Sequence, residues 1–217
     1  MPKGIIHRGQ TAHFLLISSI CFAIYHGRLN EARKSKALEK TARTDVLTRM
    51  YNYNHFSELA KVRLQNASDL TDDPVFLFLD IHNFKAFNDE FGHPEGDECL
   101  KEVSDCISPT ARRTTDIVSR IGGEEFLVFI QGNKEDEMVE FAETIRRNVE
   151  KMGIAHSHNA TYPVVTVSIG LSIAAPRGMD INMLYEAADV ELYHAKDKGR
   201  NQVSYSGRVR RKYTALA

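Results

Sequence analysis

Val75-Phe76-Leu77-Phe78-Leu79, closed by Asp80, decides the architecture. An unbroken apolar run of strand length offers no polar face to water, so it fits the middle of a sheet covered on both sides. The aspartate at its mouth puts a carboxylate where the strand leaves the core. Working outward, Phe56, Leu59, Ala60 and Val62 recur at helical spacing and predict a helix over Tyr53–Leu64, with Asn52 or Asn54 as its cap. After the strand the same periodicity runs from about Gly96 through Leu100, Val103 and Ile107, with Asn88 and Asp97 in a Gly/Pro-containing stretch. Ile117-Val118 and Leu127–Ile130 flank Gly122-Gly123, which predicts a tight hairpin, because both central positions of a type I′ turn need φ > 0. Glu135–Val149 and Ile181–Lys196 read as helices, Val164–Ala174 as a long strand and Gln202–Tyr205 as a last short one. This order repeats no simple βαβ unit. It predicts an α+β fold: a central mixed, mostly antiparallel sheet flanked by helices, in a palm-like arrangement.

The composition bounds the rest. With 217 residues, 42% hydrophobic and 26% charged, the chain fills one core, and disorder or a collagen-like fibre is excluded. Lys+Arg of 28 against Asp+Glu of 29 leaves a formal charge of −1, so no global basic field exists to coat DNA or RNA. Three cysteines (Cys21, Cys99, Cys106) without a CxxC pair argue against a disulfide framework or a structural zinc site and for a reducing compartment.

The N-terminus differs from this average. Phe14–Tyr25 carries no charge, but as a helix it spans roughly 18 Å, short of the ~30 Å hydrocarbon core. Arg28, Arg33, Lys34, Lys36, Lys40 and Arg43 follow, against only Glu31 and Glu39, which is the positive-inside pattern. Two alternatives stay open: residues 11–26 anchor the chain to the inner membrane with the rest cytoplasmic, or they form a buried or interfacial helix leading into a charged stalk. The expected organisation is an apolar segment over 1–27, a basic helical linker over 28–43, a folded domain of strands and helices over 44–206 and a basic tail over 207–217.

Carboxylates mark the candidate chemistry. Asp80 at a strand end and Glu124-Glu125 at a neighbouring hairpin can converge on one hard divalent cation, and Mg²⁺ takes one or two carboxylates together with substrate phosphates. A phosphate-bearing substrate follows. Gly122-Gly123 would leave bare backbone for a triphosphate, while Lys196 and Arg200, four apart at a helix end, would clamp terminal phosphates. The competing structural roles are a plain turn for the glycines and helix-dipole partners for the two cations.

Five stretches together resemble the GGDEF-domain diguanylate cyclases: Thr44-Asp45-Val46-Leu47-Thr48, Asp80 to Asp97, Arg120-Ile121-Gly122-Gly123-Glu124-Glu125-Phe126, Val165 to Gly170, and Ala188 to Asn201. The resemblance implies that two GTP are condensed into cyclic di-GMP and two pyrophosphates, each half of a homodimer presenting one GTP to the other. It implies Mg²⁺, with Mn²⁺ as the alternative ion, held by Asp80, Glu124 and the Ile81 carbonyl. Glu124, Lys85 and Glu125 are the implied catalytic residues, Glu124 helping to deprotonate the attacking 3′-hydroxyl. Asn88 and Asp97 are the implied guanine readers; an aspartate accepts from guanine N1–H and the exocyclic amine, donors that adenine lacks. Phe84, Gly122, Gly123, Lys196 and Arg200 complete the implied substrate contacts, and Lys85, Lys196 and Arg200 would neutralise phosphate charge. Arg113-Thr114-Thr115-Asp116, five residues before GGEEF, resembles the family's inhibitory product site. An arginine fork there pairs with guanine O6/N7 or with phosphate.

Three departures from the family pattern stand out. His82 occupies the position where a second aspartate is common, and its charge near pH 7 is open from sequence; alternation directs it to the face of Asp80. Asn52-Tyr53 replaces the usual Asn-Arg, which would weaken how the stalk is tied to the domain. The N-terminus carries no recognisable sensory domain, so the element controlling dimerisation is expected to be missing or very small. The alternatives to an active cyclase are a weak or inactive module that binds GTP or cyclic di-GMP and signals through a partner, or another palm-like nucleotidyl transferase. The last leaves Asn88, Asp97 and the R-x-x-D unexplained.

Overall fold

Alternation along the strands sorts the core into two layers. In the computed structural model, which describes residues 22, 25, 26, 28, 43–66, 73–110, 113–132, 134–174 and 180–209, the run that opens at Val75 is β1, Asp73–Ile81. It is the centre of a five-stranded sheet with β2 (Ile117–Gly122), β3 (Glu125–Gly132), β4 (Val167–Ile173) and β5 (Val203–Ser204), in the order β2-β3-β1-β4-β5. All neighbours are antiparallel except β4 and β5, which run parallel, so the sheet is mixed and mostly antiparallel, as expected.

Val75, Leu77, Leu79 and Ile81 point to one layer with Phe126, Val128, Ile169 and Leu171. They pack on α2 (Phe84–Phe91), α3 (His93–Ile107) and α4 (Glu135–Lys151) through Phe84, Phe87, Leu100, Val103 and Ile145. Phe76 and Phe78 point the other way with Leu127 and Phe129, onto α1 (Tyr53–Asn66) and α5 (Ile181–Asp197) through Phe56, Ala60, Leu184, Ala188 and Leu192. Asp80 continues this second layer. At Gly170, opposite Phe78 on β4, an added Cβ would lie 2.0 Å from the Ala188 carbonyl oxygen and 2.3 Å from the Leu192 nitrogen. Helix α5 therefore rests backbone to backbone on the sheet, which fixes where its C-terminal end arrives.

Three expectations need correction. A separate helix, α2, carries Asn88, and α3, which bears Asp97 as expected, starts at His93 rather than near Gly96. Gly92, at φ 90°, joins the two helices, its N–H donating to the Asn88 carbonyl (2.9 Å) and its own carbonyl accepting from Gly96 N–H (3.1 Å). The hairpin is not a type I′ turn with both glycines at its centre. Gly122 pairs with Glu125, so the central residues are Gly123 and Glu124, and of these only Gly123 has positive φ (52°). Strand β4 is shorter than Val164–Ala174, because Val164 bridges to Ala155 and Ala174 to Val209.

Asn52 caps α1, its side-chain oxygen accepting from His55 N–H at 3.0 Å. Beyond Ser206 the chain is still joined to the sheet, through Val209 N–H to the Ile173 carbonyl at 2.9 Å, and to α4, through Arg208 Nε to Glu135 at 2.6 Å. The chain divides into two units, Met1–Ala42 and Arg43–Ala217. The anchor expected over 11–26 falls almost wholly outside the described residues; among those, no helix is long and apolar enough to cross a membrane.

Candidate active site

Register brings the carboxylates together. Asp80 is paired with Glu125 across β1 and β3 and with Ser168 across β1 and β4. Directly opposite residues share a face, so Asp80 and Glu125 project to the same side of the sheet. The hairpin tip folds back over this end of β1, where Ile81 N–H donates to the Glu124 carbonyl at 3.2 Å. From the other side α5 delivers Lys196, whose Nζ lies 2.7 Å from Asp80 Oδ2.

Burial raises the Asp80 carboxyl above its ordinary value, with Lys196 opposing the rise and the charge of Glu124 adding to it. Burial likewise raises Glu125, reinforced by the charge of Asp80. Asp80, Glu124 and Glu125 thus bring three carboxylates to the end of β1, faced by the charges of Lys196 and Arg200. Among the described residues no three His, Cys, Asp or Glu side chains form a closed metal cage. The donors present are Asp80, Glu124 and the neighbouring Ile81 carbonyl, all hard oxygens. Such a set suits Mg²⁺ or Mn²⁺ completed by phosphate oxygens and water. A Cβ at Gly122 or Gly123 would meet nothing within 4 Å, so the turn presents bare, open backbone beside these groups.

Arg120 secures the hairpin. Its Nε donates to the Gly123 carbonyl at 2.9 Å and its Nη1 to Asp45 Oδ1 at 3.0 Å. Asp45 Oδ1 also accepts from Thr48 N–H (2.8 Å) and Thr48 Oγ1 (2.7 Å). Burial alone would raise the Asp45 carboxyl, but these bonds outweigh it and hold it below its ordinary value. The Thr44–Thr48 motif is therefore wired to the glycine turn that carries Glu124.

His82 follows β1 directly and is buried. Its Nδ1 lies 2.8 Å from Thr166 Oγ1 and its Nε2 2.7 Å from Ser168 Oγ, while its backbone N–H donates to the Thr166 carbonyl at 3.0 Å. Burial, then the charges of Arg200 and Lys196, push its pKa down to about 3. The question open from sequence resolves to a neutral imidazole. Because Ser168 pairs with Asp80, the ring lies on the Asp80 face, as alternation predicts. His156 Nε2 donates to the His82 carbonyl at 2.7 Å, with its Nδ1 accepting from Ser157 N–H, which completes the clamp on this turn.

The guanine-reading candidates sit on the α2/α3 pair. Asn88 Oδ1 is buried without a hydrogen-bond partner, and a Cβ on Gly96 would fall 1.9 Å from it. Glycine at 96 makes room for that amide, and its unpaired acceptor suits a ligand donor. Asp97 and Lys85 are exposed on α3 and α2. Phe84 is a core residue, its ring stacked on Phe87 at 5.9 Å, so only its backbone can serve a substrate.

Arg113 and Asp116 lie at the opposite end of β2 from the glycines, roughly 20 Å away along a strand of 6 residues. Arg113 N–H donates to Asp116 Oδ2 (2.9 Å) and Arg113 Nη1 to the Gln131 carbonyl (3.1 Å), while Asp116 Oδ1 is buried without a partner. The structure therefore separates this pair from the carboxylate site. Sequence reasoning missed the roles of Arg120, Thr166 and Ser168, whose partners are remote in the chain.

A mixed, palm-like sheet flanked by helices, with paired carboxylates at a strand end beside a glycine hairpin, is the class of fold these elements define. The chain belongs to the GGDEF family: residues 42–202 match the family model described as "Diguanylate cyclase, GGDEF domain". It is 34% identical over 168 residues to the Escherichia coli (strain K12) protein named "Probable diguanylate cyclase DgcT", covering 77% of this chain and 36% of that one. It is 33% identical over 214 residues to "Diguanylate cyclase DgcM" of Escherichia coli O157:H7, covering 93% of this chain and 50% of that one. The chain thus spans half or less of these relatives' length. Among solved structures, the coiled coil and GGDEF domain of DgcB from Caulobacter crescentus, in complex with c-di-GMP, matches with a TM-score of 0.69 at 26% identity, covering 87% of this chain and 98% of that one.

Proposed function

We propose that the protein is a diguanylate cyclase, condensing two GTP into cyclic di-GMP with release of two pyrophosphates. The observation that carries this reading is the Asp80–Lys196 pair at the end of β1, beside the open Gly122-Gly123 backbone and near enough to Glu124 to feel its charge. Asn88 and Asp97 read guanine, Lys196 and Arg200 hold the terminal phosphates with Lys85 adding positive charge, and Asp80, Glu124 and the Ile81 carbonyl hold the divalent ion. When bound, that ion neutralises phosphate charge and polarises the reacting oxygens. Glu124, at the hairpin tip, takes the proton of the attacking 3′-hydroxyl, and Glu125 beside it adds to the field around Asp80. Phosphoryl-type transfer asks a protein mainly for positioning and charge, which these residues supply.

Each domain holds one GTP, so two copies face each other for the reaction, and turnover requires a homodimer. Arg113 and Asp116, at the far end of β2, bind cyclic di-GMP and mediate feedback inhibition. Attachment of residues 11–26 to a membrane, suggested by the uncharged Phe14–Tyr25 run and the basic residues after it, would hold the domain on the cytoplasmic face. Incubation of the purified protein with GTP and Mg²⁺ tests the reading: cyclic di-GMP and pyrophosphate in a 1:2 ratio are expected. GTP bound but unconverted at high protein concentration would refute it.

A further inference from the structure

Just beyond α5 the backbone enters a conformation that side chains resist. Gly199, Arg200 and Asn201 are consecutive residues at positive φ, 113°, 67° and 44°. Glycine tolerates this, but arginine and asparagine carry a Cβ, and such a turn persists only where its surroundings over-determine it. Local bonds contribute: Arg200 N–H to the Ala195 carbonyl at 2.9 Å, Gln202 Nε2 to the same carbonyl at 3.0 Å, and Tyr162 Oη to the Gly199 carbonyl at 2.9 Å.

The remaining hold comes from α4. Arg146 Nη1 donates to Asn201 Oδ1 at 2.8 Å, and Asn201 Nδ2 donates to Glu150 Oε1 at 2.8 Å. Arg146 Nη1 also donates to Glu150 Oε2 and its Nε to Glu143 Oε2, both at 2.8 Å. The amide of Asn201 is thus gripped at both ends, and only one orientation satisfies both partners, since the reverse would set its NH₂ against the guanidinium. Arg146 is largely buried, with 14% of its side chain exposed, and two carboxylates neutralise it. A cation so enclosed is a poor phosphate ligand in its own right, because the flanking glutamates repel the phosphate.

We propose that Arg146 is a positioning residue for triphosphate recognition: through Asn201 and Glu150 it locks the left-handed Gly199–Asn201 turn that aims Arg200 and seats the last turn of α5, which bears Lys196. The inference rests on the reading of Lys196 and Arg200 as the phosphate clamp. A buried planar fork meets the need, since it bonds two or three acceptors at fixed angles, which an ammonium does not.

The test is equilibrium binding to the full chain, by calorimetry with Mg²⁺, of 3′-deoxy-GTP, which lacks the attacking hydroxyl, and of GMP, which lacks the terminal phosphates. Arg146→Ala should weaken 3′-deoxy-GTP about tenfold and leave GMP within about twofold, because only the phosphate end is displaced. Arg146→Lys, which keeps the charge but not the fork, should keep the fold and show a smaller loss, about threefold, confined to the triphosphate. Asn201→Gly relieves the backbone strain and removes the anchor, and it should behave like Arg146→Ala. Equal weakening of both ligands, or unchanged triphosphate affinity in the Arg146 variants, would overturn the proposal. Arg200→Ala separates the two readings: if it leaves 3′-deoxy-GTP affinity intact, the clamp assignment fails; if it lowers that affinity while Arg146→Ala does not, only the positioning role fails.

Discussion

Lys196 Nζ sits 2.7 Å from Asp80 Oδ2, joining the last turn of α5 to the mouth of the central strand. The pair carries the carboxylate that would bind a cation and the cation that would bind a phosphate, held in reach of each other before either ligand arrives. Lys196→Ala should lower kcat by roughly 10²–10³, the scale of losing one preorganised charge at a transition state. Steady-state production of cyclic di-GMP measures it. The melting temperature should fall as well, because the buried Asp80 carboxylate would be left without its partner.

The closeness of α5 to the sheet at Gly170 makes a second prediction. A Cβ there would strike backbone atoms of Ala188 and Leu192, which cannot rotate away. Gly170→Ala should destabilise the domain by about 1–3 kcal/mol or more through overpacking, read from the urea midpoint at unchanged m-value. Activity should fall as well, since Lys196 moves with the helix.

Asp45 and Arg120 set an acid limb. The Asp45 carboxyl lies below its ordinary value of 3.8 in the folded protein. Its contribution is therefore complete above the unfolded value and is lost as pH falls through the folded one. Urea midpoints measured from about pH 5 downward should drop more steeply for the native chain than for Asp45→Asn. Arg120→Ala should cost about 1.5–3 kcal/mol, the range for charged hydrogen bonds, and should slow turnover by loosening Gly123.

If Arg113 binds product as proposed, Arg113→Ala removes the charged fork for guanine or phosphate and should raise the cyclic di-GMP concentration needed for half-inhibition by at least about tenfold. Progress curves with added product measure it. A curve unchanged from the native protein would remove Arg113 and Asp116 from regulation.

The parts legible in the sequence are those whose cause is local. Val75–Leu79 declares a buried central strand by itself, and Asp80 at its end already marks the site. Helix α2 is hard to see in the sequence because its 8 residues give little more than two turns of pattern, Phe84, Phe87 and Phe91, between a left-handed Asn83 and Gly92. The hairpin was located, but its centre lies one residue later than the glycine pair implies, because a register shift between Arg120 and Gly122 moves the pairing. His82 shows the limit most plainly. Its partners Thr166 and Ser168 lie across the sheet on the β4 side, so whether the imidazole is charged depends on tertiary burial that no local pattern carries. Arg146 and Asn201 are hidden for the same reason.

The central claim is that Glu124, at the hairpin tip, serves both the metal and the attacking hydroxyl. Glu124→Gln keeps the size and the hydrogen bonding while removing the charge and the base. Single-turnover conversion of GTP to cyclic di-GMP by this variant, beside its thermal melt, tests the claim most directly. The account predicts a native melt and a rate reduced by at least about 10³. A folded Glu124→Gln protein that forms cyclic di-GMP at the native rate would contradict it.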